Sequence, residues 1–334
     1  MQTIIPKDYE SILSLYDTQK AIGLIKKIFE IKLSTALRLS RVTAPLFVDD
    51  KSGINDNLNG VERPVSFDIP TIGQNGEVVH SLAKWKRLAL YKYNFYVGKG
   101  LVTDMNAIRR DEELDNIHSI YVDQWDWEKV IDKSMRNEEY LEKTVDLIVS
   151  AICSTSEELK WQFSDVNTNL NRQIYFITAQ ELEDMYPDLT PKERENEITK
   201  KYKTVFIKKI GNLLNSGKKH DGRAPDYDDW QLNGDLLFWH EPLGIALEIS
   251  SMGIRVNKES MEKQLELSDC VDRKDLMYHK MILNNELPLT IGGGIGQSRL
   301  CMLLLNKAHI GEVQVSLWDD KTIEICKKAK VTLL

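Results

Sequence analysis

The 334-residue sequence lacks most features that would place a chain outside a reducing, aqueous compartment. Its four cysteines, Cys153, Cys270, Cys301 and Cys326, stand far apart and form no CxxC pair. Neither a zinc site nor a disulfide framework is expected, and reduced thiols in a cytoplasmic protein are. No apolar run reaches the roughly 18 residues that a membrane span needs. The N-terminal stretch MQTIIPKDYESILSLYDTQKAI lacks the basic start and long apolar run of a secretory signal. The six histidines include no HxxxH or HExxH, so no histidine–zinc centre is inferred. A Walker loop, a Rossmann fingerprint opening a βαβ unit and a GxSxG elbow are all missing. There is no internal repeat and no low-complexity tract. An excess of positive charge is lacking too: the formal net charge is −7 and the pI about 5.5. Nucleic acid is therefore not an expected partner, although a local basic site for a small anion is compatible with this balance.

What is present is ordinary for a globular protein, 42% hydrophobic and 28% charged residues. No linker divides the chain, so residues 1–334 are expected to form one catalytic domain. Residues 19–39 carry Ile22, Ile25, Phe29 and Ala36 at helical spacing, with Lys26, Lys27 and Lys32 between them. Residues 41–46 suggest a short strand entering a turn at Pro45, and a polar loop follows from 49 to 60. A strand at 77–80 precedes a helix over 82–90, with Ser81 placed as its N-cap. Strands are expected near 101–109, 118–127, 173–177 and 204–210, and a strand pair at 235–239 and 244–256 turns at Glu241-Pro242. Helices are expected at 137–160, in two pieces between 178 and 202, and within 258–285. A glycine cluster at 292–296 is expected to lead directly into a last helix, 297–306. Strands and helices are not in regular βαβ order, and short turns join neighbouring strands. The expected class is α+β, a mainly antiparallel sheet flanked by helices.

Four places carry chemistry. The first is Ile291-Gly292-Gly293-Gly294-Ile295-Gly296-Gln297-Ser298-Arg299-Leu300. Glycines let a backbone approach a ligand and adopt positive φ, and a helix N-terminus offers N–H groups to an anion. Arg299 in the first helical turn opposes the helix dipole, which suggests an anionic partner. The alternative is a glycine turn whose arginine faces water. The second is Asp235 and Glu248, which a turn centred on Glu241-Pro242 sets opposite each other, as a cation between them would require. A register one residue off would leave them separately solvated. The third is Arg109-Arg110-Asp111-Glu112-Glu113 at a strand end, an arginine fork suited to phosphate or carboxylate, or a solvated charged loop. Arg110, next along an extended strand, is expected to face away from Arg109. The fourth is Gln124 and Asp126, sharing one strand face with Ile120 and Val122, while Tyr121, Asp123, Trp125 and Trp127 take the other. Polar groups ending such a face should meet a ligand or each other.

The order of these signals resembles the three motifs of class II aminoacyl-tRNA synthetases. More closely, the sequence resembles ammonia-dependent asparagine synthetases (aspartate–ammonia ligases). The resemblance rests on Asp56-Asn57-Leu58, on 79–87 (VHSLAKWKR), on 121–128 (YVDQWDWE), on 223–230 (RAPDYDDW), on 232–235 (LNGD), on 248–255 (EISSMGIR) and on 291–300. It extends from the first helix nearly to the C-terminus. It implies a class II synthetase-like core and ATP-dependent conversion of L-aspartate and ammonia into L-asparagine through a β-aspartyl-adenylate, with AMP and pyrophosphate released.

Residue by residue, the resemblance implies that Arg109 holds the α-phosphate and that Arg299 and Gly294 meet the nucleotide. Asp235 and Glu248 would bind Mg²⁺ on the phosphates. Ser81, Lys86, Gln124, Asp126, Asp228, Ser251, Gly292 and Gly293 would line the aspartate pocket. Chemically, Lys86 suits a substrate carboxylate, and Asp126 and Asp228 its ammonium. Asp56 is the candidate to accept a proton from ammonium or the attacking amine. The helix over 19–39 with Pro45 would form a two-fold interface, giving a homodimer.

The sequence departs from the family pattern in two places. Arg110 stands where proline is expected, and the connection between Trp230 and Leu232 is short. A tRNA synthetase proper would need an anticodon-binding module, for which the sequence ahead of the first motif leaves no room. A non-catalytic paralogue should have lost some of Asp56, Lys86, Arg109, Asp235, Glu248 and Arg299, and all are present. A glutamine-dependent synthetase would need a cysteine after the initiator methionine, where Gln2 stands.

Overall fold

The structure is a computed structural model and describes residues 2–56, 62–168 and 170–334. Asn57 and Leu58 of the first quoted block, like 59–60 of the polar loop, lie outside the described residues. Helix α1 (Leu15–Leu37) is followed by short strands β1 (Leu39–Arg41) and β2 (Phe47–Asp49). Strands β3 (Ser66–Ile69) and β4 (Gln74–Val78) lead to α2 (Ala83–Lys92), β5 (Gly100–Ile108) and β6 (Tyr121–Val130). Next come α3 (Glu138–Gln162), β7 (Tyr175–Thr178), α4 (Ala179–Met185), α5 (Pro191–Tyr202) and β8 (Thr204–Lys208). A long hairpin, β9 (Asp228–His240) and β10 (Ile245–Arg255), precedes α6 (Lys258–Leu267), α7 (Met277–Leu283), β11 (Thr290–Gly296), α8 (Gln297–Leu304) and α9 (Asp320–Lys328).

Local chemistry sets the helix starts. Ser14 caps α1 by accepting the Asp17 N–H, and the chain leaves α1 through Arg38 in the left-handed region. Both α4 and α5 open in capping boxes, Thr178 with Glu181 and Thr190 with Glu193, and Pro191 takes the first position of α5. The N-cap of α2 falls one residue later than Ser81, where it was expected. Leu82 is the N-cap of α2, and Ser81 Oγ accepts the Ala83 N–H.

Eight strands form one sheet in the order β1-β5-β6-β11-β10-β9-β8-β7, and β2-β4-β3 form a small antiparallel sheet. The large sheet is mixed, antiparallel in five of its seven strand pairs and parallel in two. Its middle strands, β5 to β8, pair antiparallel, and a parallel pair closes each edge, β1 on β5 and β7 on β8. One face is buried under α1, α3 and α8, where Phe29 meets Trp125 with ring centroids 4.8 Å apart and Trp127, Leu236, Met252 and Ile295 complete the core. On the other face α4 and α5 cover β7–β9 through Leu182, Ile198, Val205 and Leu237. Helix α2 lies over β5 and β6 on that side. The central strands between these covers stay open.

The glycine cluster is a strand, not a turn. None of its glycines has positive φ, and β11 pairs with both β6 and β10. Alternation sends Gly292, Gly294 and Gly296 to the open face, whereas Ile291 and Ile295 are buried in the core. The helix after it is also not the last, because α9 follows. The short stretch Trp230–Leu232 lies inside β9 and connects nothing, and that strand begins already at Asp228.

Candidate active site

The open face holds a cavity of about 490 Å³. Its floor is the middle of the sheet, with Gln124 and Asp126 from β6, Gly293 and Gly294 from β11, and Glu248 and Ser251 from β10. Asp56, His80, Ser81 and Lys86 stand on one side, Arg109 and Arg110 on another, and Arg223, Asp228 and Arg299 complete the wall. The alternation read along β6 therefore holds: Trp125 and Trp127 enter the core while Gln124 and Asp126 face the cavity.

Glycine at Gly294 leaves room for two cavity side chains. A Cβ there would come 2.4 Å from Gln124 Oε1 and 2.9 Å from Asp126 Oδ1. At Gly292 a Cβ would lie 1.9 Å from Glu128 Oε2 and 2.7 Å from Arg255 Nη2. Gly292 thus makes room for a buried ion pair and is not part of the cavity wall.

Beneath the cavity the charges are paired. Lys86, 1% exposed, reaches Asp126 Oδ2 at 2.8 Å and donates to the Gly293 carbonyl at 2.9 Å. Asp126 Oδ1 is buried without a partner and is available to a ligand. Arg255 donates to Glu128 through Nε and Nη2 and to Asp228 through Nη1. Burial acts to raise the Glu128 carboxyl, but Arg255, Lys86 and Thr290 together hold it below the usual range. Burial wins at Asp228, whose carboxyl is raised despite Arg255. Lys84 reaches Asp226 at 3.5 Å and donates to the Gly53 carbonyl at 3.0 Å, tying the segment that leads to Asp56 onto α2.

The expected carboxylate pair takes a different geometry. Asp235 is opposite Ser251, and Glu248 is opposite Leu237. A bulge between Glu248 and Ser250 shifts the register, which a count from the turn cannot foresee. The two carboxylates are diagonal neighbours, and each has an arginine. Arg223 pairs with Asp235. Arg299 Nη1 donates to the Glu248 carbonyl at 3.1 Å and lies 3.9 Å from its carboxylate. Asp235 sits behind Arg223, not on the cavity wall. Burial pushes its carboxyl up to about 7, against the pull of Arg223 and with the help of Glu248.

Arg109 lies just past β5, 3.8 Å from Glu112, with Nε buried and unpartnered. Because the strand ends at Ile108, Arg110 does not face away as an extended chain would dictate, and both arginines border the cavity. The α8 N-terminus is not an open anion site either: the Asp123 carboxylate accepts the Ser298 N–H at 3.0 Å.

Sequence reasoning missed four site residues. Arg223 and Arg255 lay within quoted blocks, but nothing local marks an arginine as the partner of a distant carboxylate. His80 is buried on the cavity wall, with Nδ1 3.2 Å from the Asp56 carbonyl. His118, also on the wall, is held by Asp115 through Nδ1 at 2.9 Å. Burial acts to raise Asp115, yet His118 and two backbone N–H groups hold it at about 2.

This mixed sheet, with a central glycine-bearing strand under a cavity, shares its fold with class II aminoacyl-tRNA synthetases. The chain superposes on an asparaginyl-tRNA synthetase from Entamoeba histolytica with a TM-score of 0.66 at 14% identity, over 90% of this chain and 67% of that one. For an asparaginyl-tRNA synthetase from Pyrococcus horikoshii, complexed with asparaginyl-adenylate, the TM-score is 0.64 at 16% identity, over 93% and 73%. Sequence likeness narrows the class. Residues 16–330 match the aspartate-ammonia ligase family. An aspartate–ammonia ligase of Clostridium tetani is 58% identical over 99% of this chain and 97% of its own. One from Levilactobacillus brevis is 57% identical over the whole of both. The chain belongs to the aspartate–ammonia ligase family and is an enzyme of that kind.

Asp235 yields a pH prediction. Its folded value near 7 lies above the unfolded value of about 4. The folded state holds the extra proton between these values, so the contribution to stability is complete below about pH 4 and is lost as pH rises through about 7. Denaturant midpoints of the ligand-free protein between pH 5 and 8 should fall less steeply with pH in Asp235→Asn than in the parent. Equal slopes would show that Asp235 is ionised throughout.

Proposed function

We propose that the chain makes L-asparagine from L-aspartate, ATP and ammonia through a β-aspartyl-adenylate, releasing AMP and pyrophosphate. The observation that carries this is the meeting of Arg109, Arg299, Lys86, Asp126 and Asp228 around one cavity. The same fold holds an aminoacyl-adenylate in the Pyrococcus horikoshii synthetase. In the proposed reaction a β-carboxylate oxygen attacks the α-phosphorus and pyrophosphate departs. Arg109, with its unpartnered Nε, is suited to the charge that grows on the α-phosphate. Arg299 and the backbone at Gly294 hold the nucleotide. Ammonia then attacks the activated carbonyl, and the carbonyl–oxygen bond breaks with its electron pair leaving on AMP.

Aspartate is held with its ammonium toward Asp126 and Asp228 and a carboxylate toward Lys86, with Ser81, Gln124, Ser251 and Gly293 lining the pocket. Gly292 contributes by leaving space for the Glu128–Arg255 pair that orients Asp228. Asp56 accepts the proton released when ammonium or the attacking amine is deprotonated.

Magnesium fits the carboxylates. Asp235 Oδ1 is buried without a partner, and Glu248 is near enough to raise its pKa. Among the described residues no group of three or more His, Cys, Asp or Glu side chains could hold a metal. Asp235 and Glu248 would therefore hold an ion that also takes phosphate and water oxygens. The chemistry supplied by bound Mg²⁺ is charge neutralisation on the phosphates. Arg223 and Arg299 balance these carboxylates in the ligand-free protein.

We also propose a cytoplasmic homodimer built on α1, acting through residues 1–334 as one catalytic domain. Among the described residues no helix is long and apolar enough to cross a membrane.

Three outcomes test these proposals. With aspartate labelled with ¹⁸O in the β-carboxylate, the label should appear in AMP, and pyrophosphate should accompany it; ADP and phosphate would point to an acyl-phosphate instead. Arg109→Lys should lower kcat about a hundredfold, because an ammonium cannot reproduce the fork where charge develops. Arg299→Lys should mainly raise the KM for ATP, and a reversal of these two effects would exchange the roles. Sedimentation at micromolar concentration should give a dimer, and a monomer would remove α1 as a two-fold interface.

A further inference from the structure

The first turn of α8 is held in an unusual way. Its N-cap is Gly296, which has no side chain to accept the orphan N–H groups. Asp123 supplies the acceptor from β6, four strand residues before Trp127 and 5% exposed. Its Oδ1 accepts the Ser298 N–H at 3.0 Å and Gln314 Nε2 at 3.3 Å, while Oδ2 accepts from Lys26 of α1 at 3.2 Å. Gln314 Nε2 also donates to Ser298 Oγ at 3.0 Å. Gln297 Nε2 donates to Asp104 and to the Gln124 carbonyl. The residue after Ser298 is Arg299, whose positive charge opposes the dipole of its own helix.

We infer that Asp123 is a positioning residue for Arg299: it caps α8 from the neighbouring strand and so holds the Arg299 guanidinium at the cavity. This rests on the nucleotide role proposed for Arg299. A carboxylate beside the first turn is favoured by the dipole and offsets the unfavourable charge of Arg299. Lys26 and Gln314 hold the carboxylate in one orientation, so the start of α8 is fixed relative to β6, whose other face carries Gln124 and Asp126. Asp123 thereby sets the register between the part of the cavity that takes the amino acid and the arginine that takes the nucleotide. Without it, the Ser298 N–H has no acceptor, and Arg299 sits on a frayed turn.

The test is a double-mutant cycle with full-length protein, reading kcat, the KM for ATP and the KM for aspartate. Asp123→Ala should raise the KM for ATP about tenfold, the usual scale of a lost cap, and leave the other two parameters within about twofold. Asp123→Asn keeps an oxygen for the Ser298 N–H and should raise it less. In an Arg299→Ala background, Asp123→Ala should add nothing, because its effect travels through that side chain. Equal losses in both backgrounds, or parallel losses in all three parameters with a lowered melting temperature, would make Asp123 a general structural residue. If Asp123→Ala does not fold, Asp123→Asn in both backgrounds gives the same comparison. If Arg299→Ala itself leaves the KM for ATP unchanged, the nucleotide role of Arg299 is what fails, and the role of Asp123 falls with it.

Discussion

The site depends on a strand whose open face is bare from Gly292 to Gly296. Neighbouring strands lie about 4.8 Å apart, so side chains normally fill the space directly above a sheet. In β11 that space is left empty at Gly292 and Gly294, and Glu128, Arg255, Gln124 and Asp126 occupy it from either side. A methyl group at either glycine would collide with those groups. The cavity is thus a gap in a packed sheet, with the rigidity of the sheet beneath it. Ile291 and Ile295, pointing the other way, keep the same strand anchored in the core.

A floor of this kind brings many charges out of water, and the structure answers by pairing them. Lys86 has Asp126, Arg255 has Glu128 and Asp228, Arg223 has Asp235, and Lys84 has Asp226. Such pairs contribute little net stability, but removing one partner costs about 3–5 kcal/mol. Their value lies in preorganisation. A charged substrate that exchanges partners with these groups meets dipoles already in place, and no buried charge has to be desolvated during the reaction. The raised Asp235 and the lowered Glu128 show how differently burial and a neighbouring guanidinium act on two carboxyls of one network.

Much of this was legible from single segments. The alternation along β6 and the hairpin turn between β9 and β10 depend on neighbours within a few residues. The glycine cluster misled because a glycine run carries no periodicity; its strand character comes from pairing with β6 and β10, far away in sequence. Asp235 and Glu248 were expected to stand opposite each other and do not, because the bulge after Glu248 appears only when both strands are in register. Arg110 borders the same cavity as Arg109 because the chain enters a turn there, with the Glu112 N–H donating to the Arg109 carbonyl at 3.1 Å.

The sequence by itself determined which β6 residues share a face and where the chain turns between β9 and β10, since each follows from local sterics and hydrogen bonding. Only the tertiary structure decided that Gly292 serves a buried ion pair and that Arg223 guards Asp235. It alone showed that Asp123 caps a helix 175 residues further along the chain. The physical reason is that a buried charge is defined by its partner, and strand pairing chooses that partner from residues that sequence distance keeps apart.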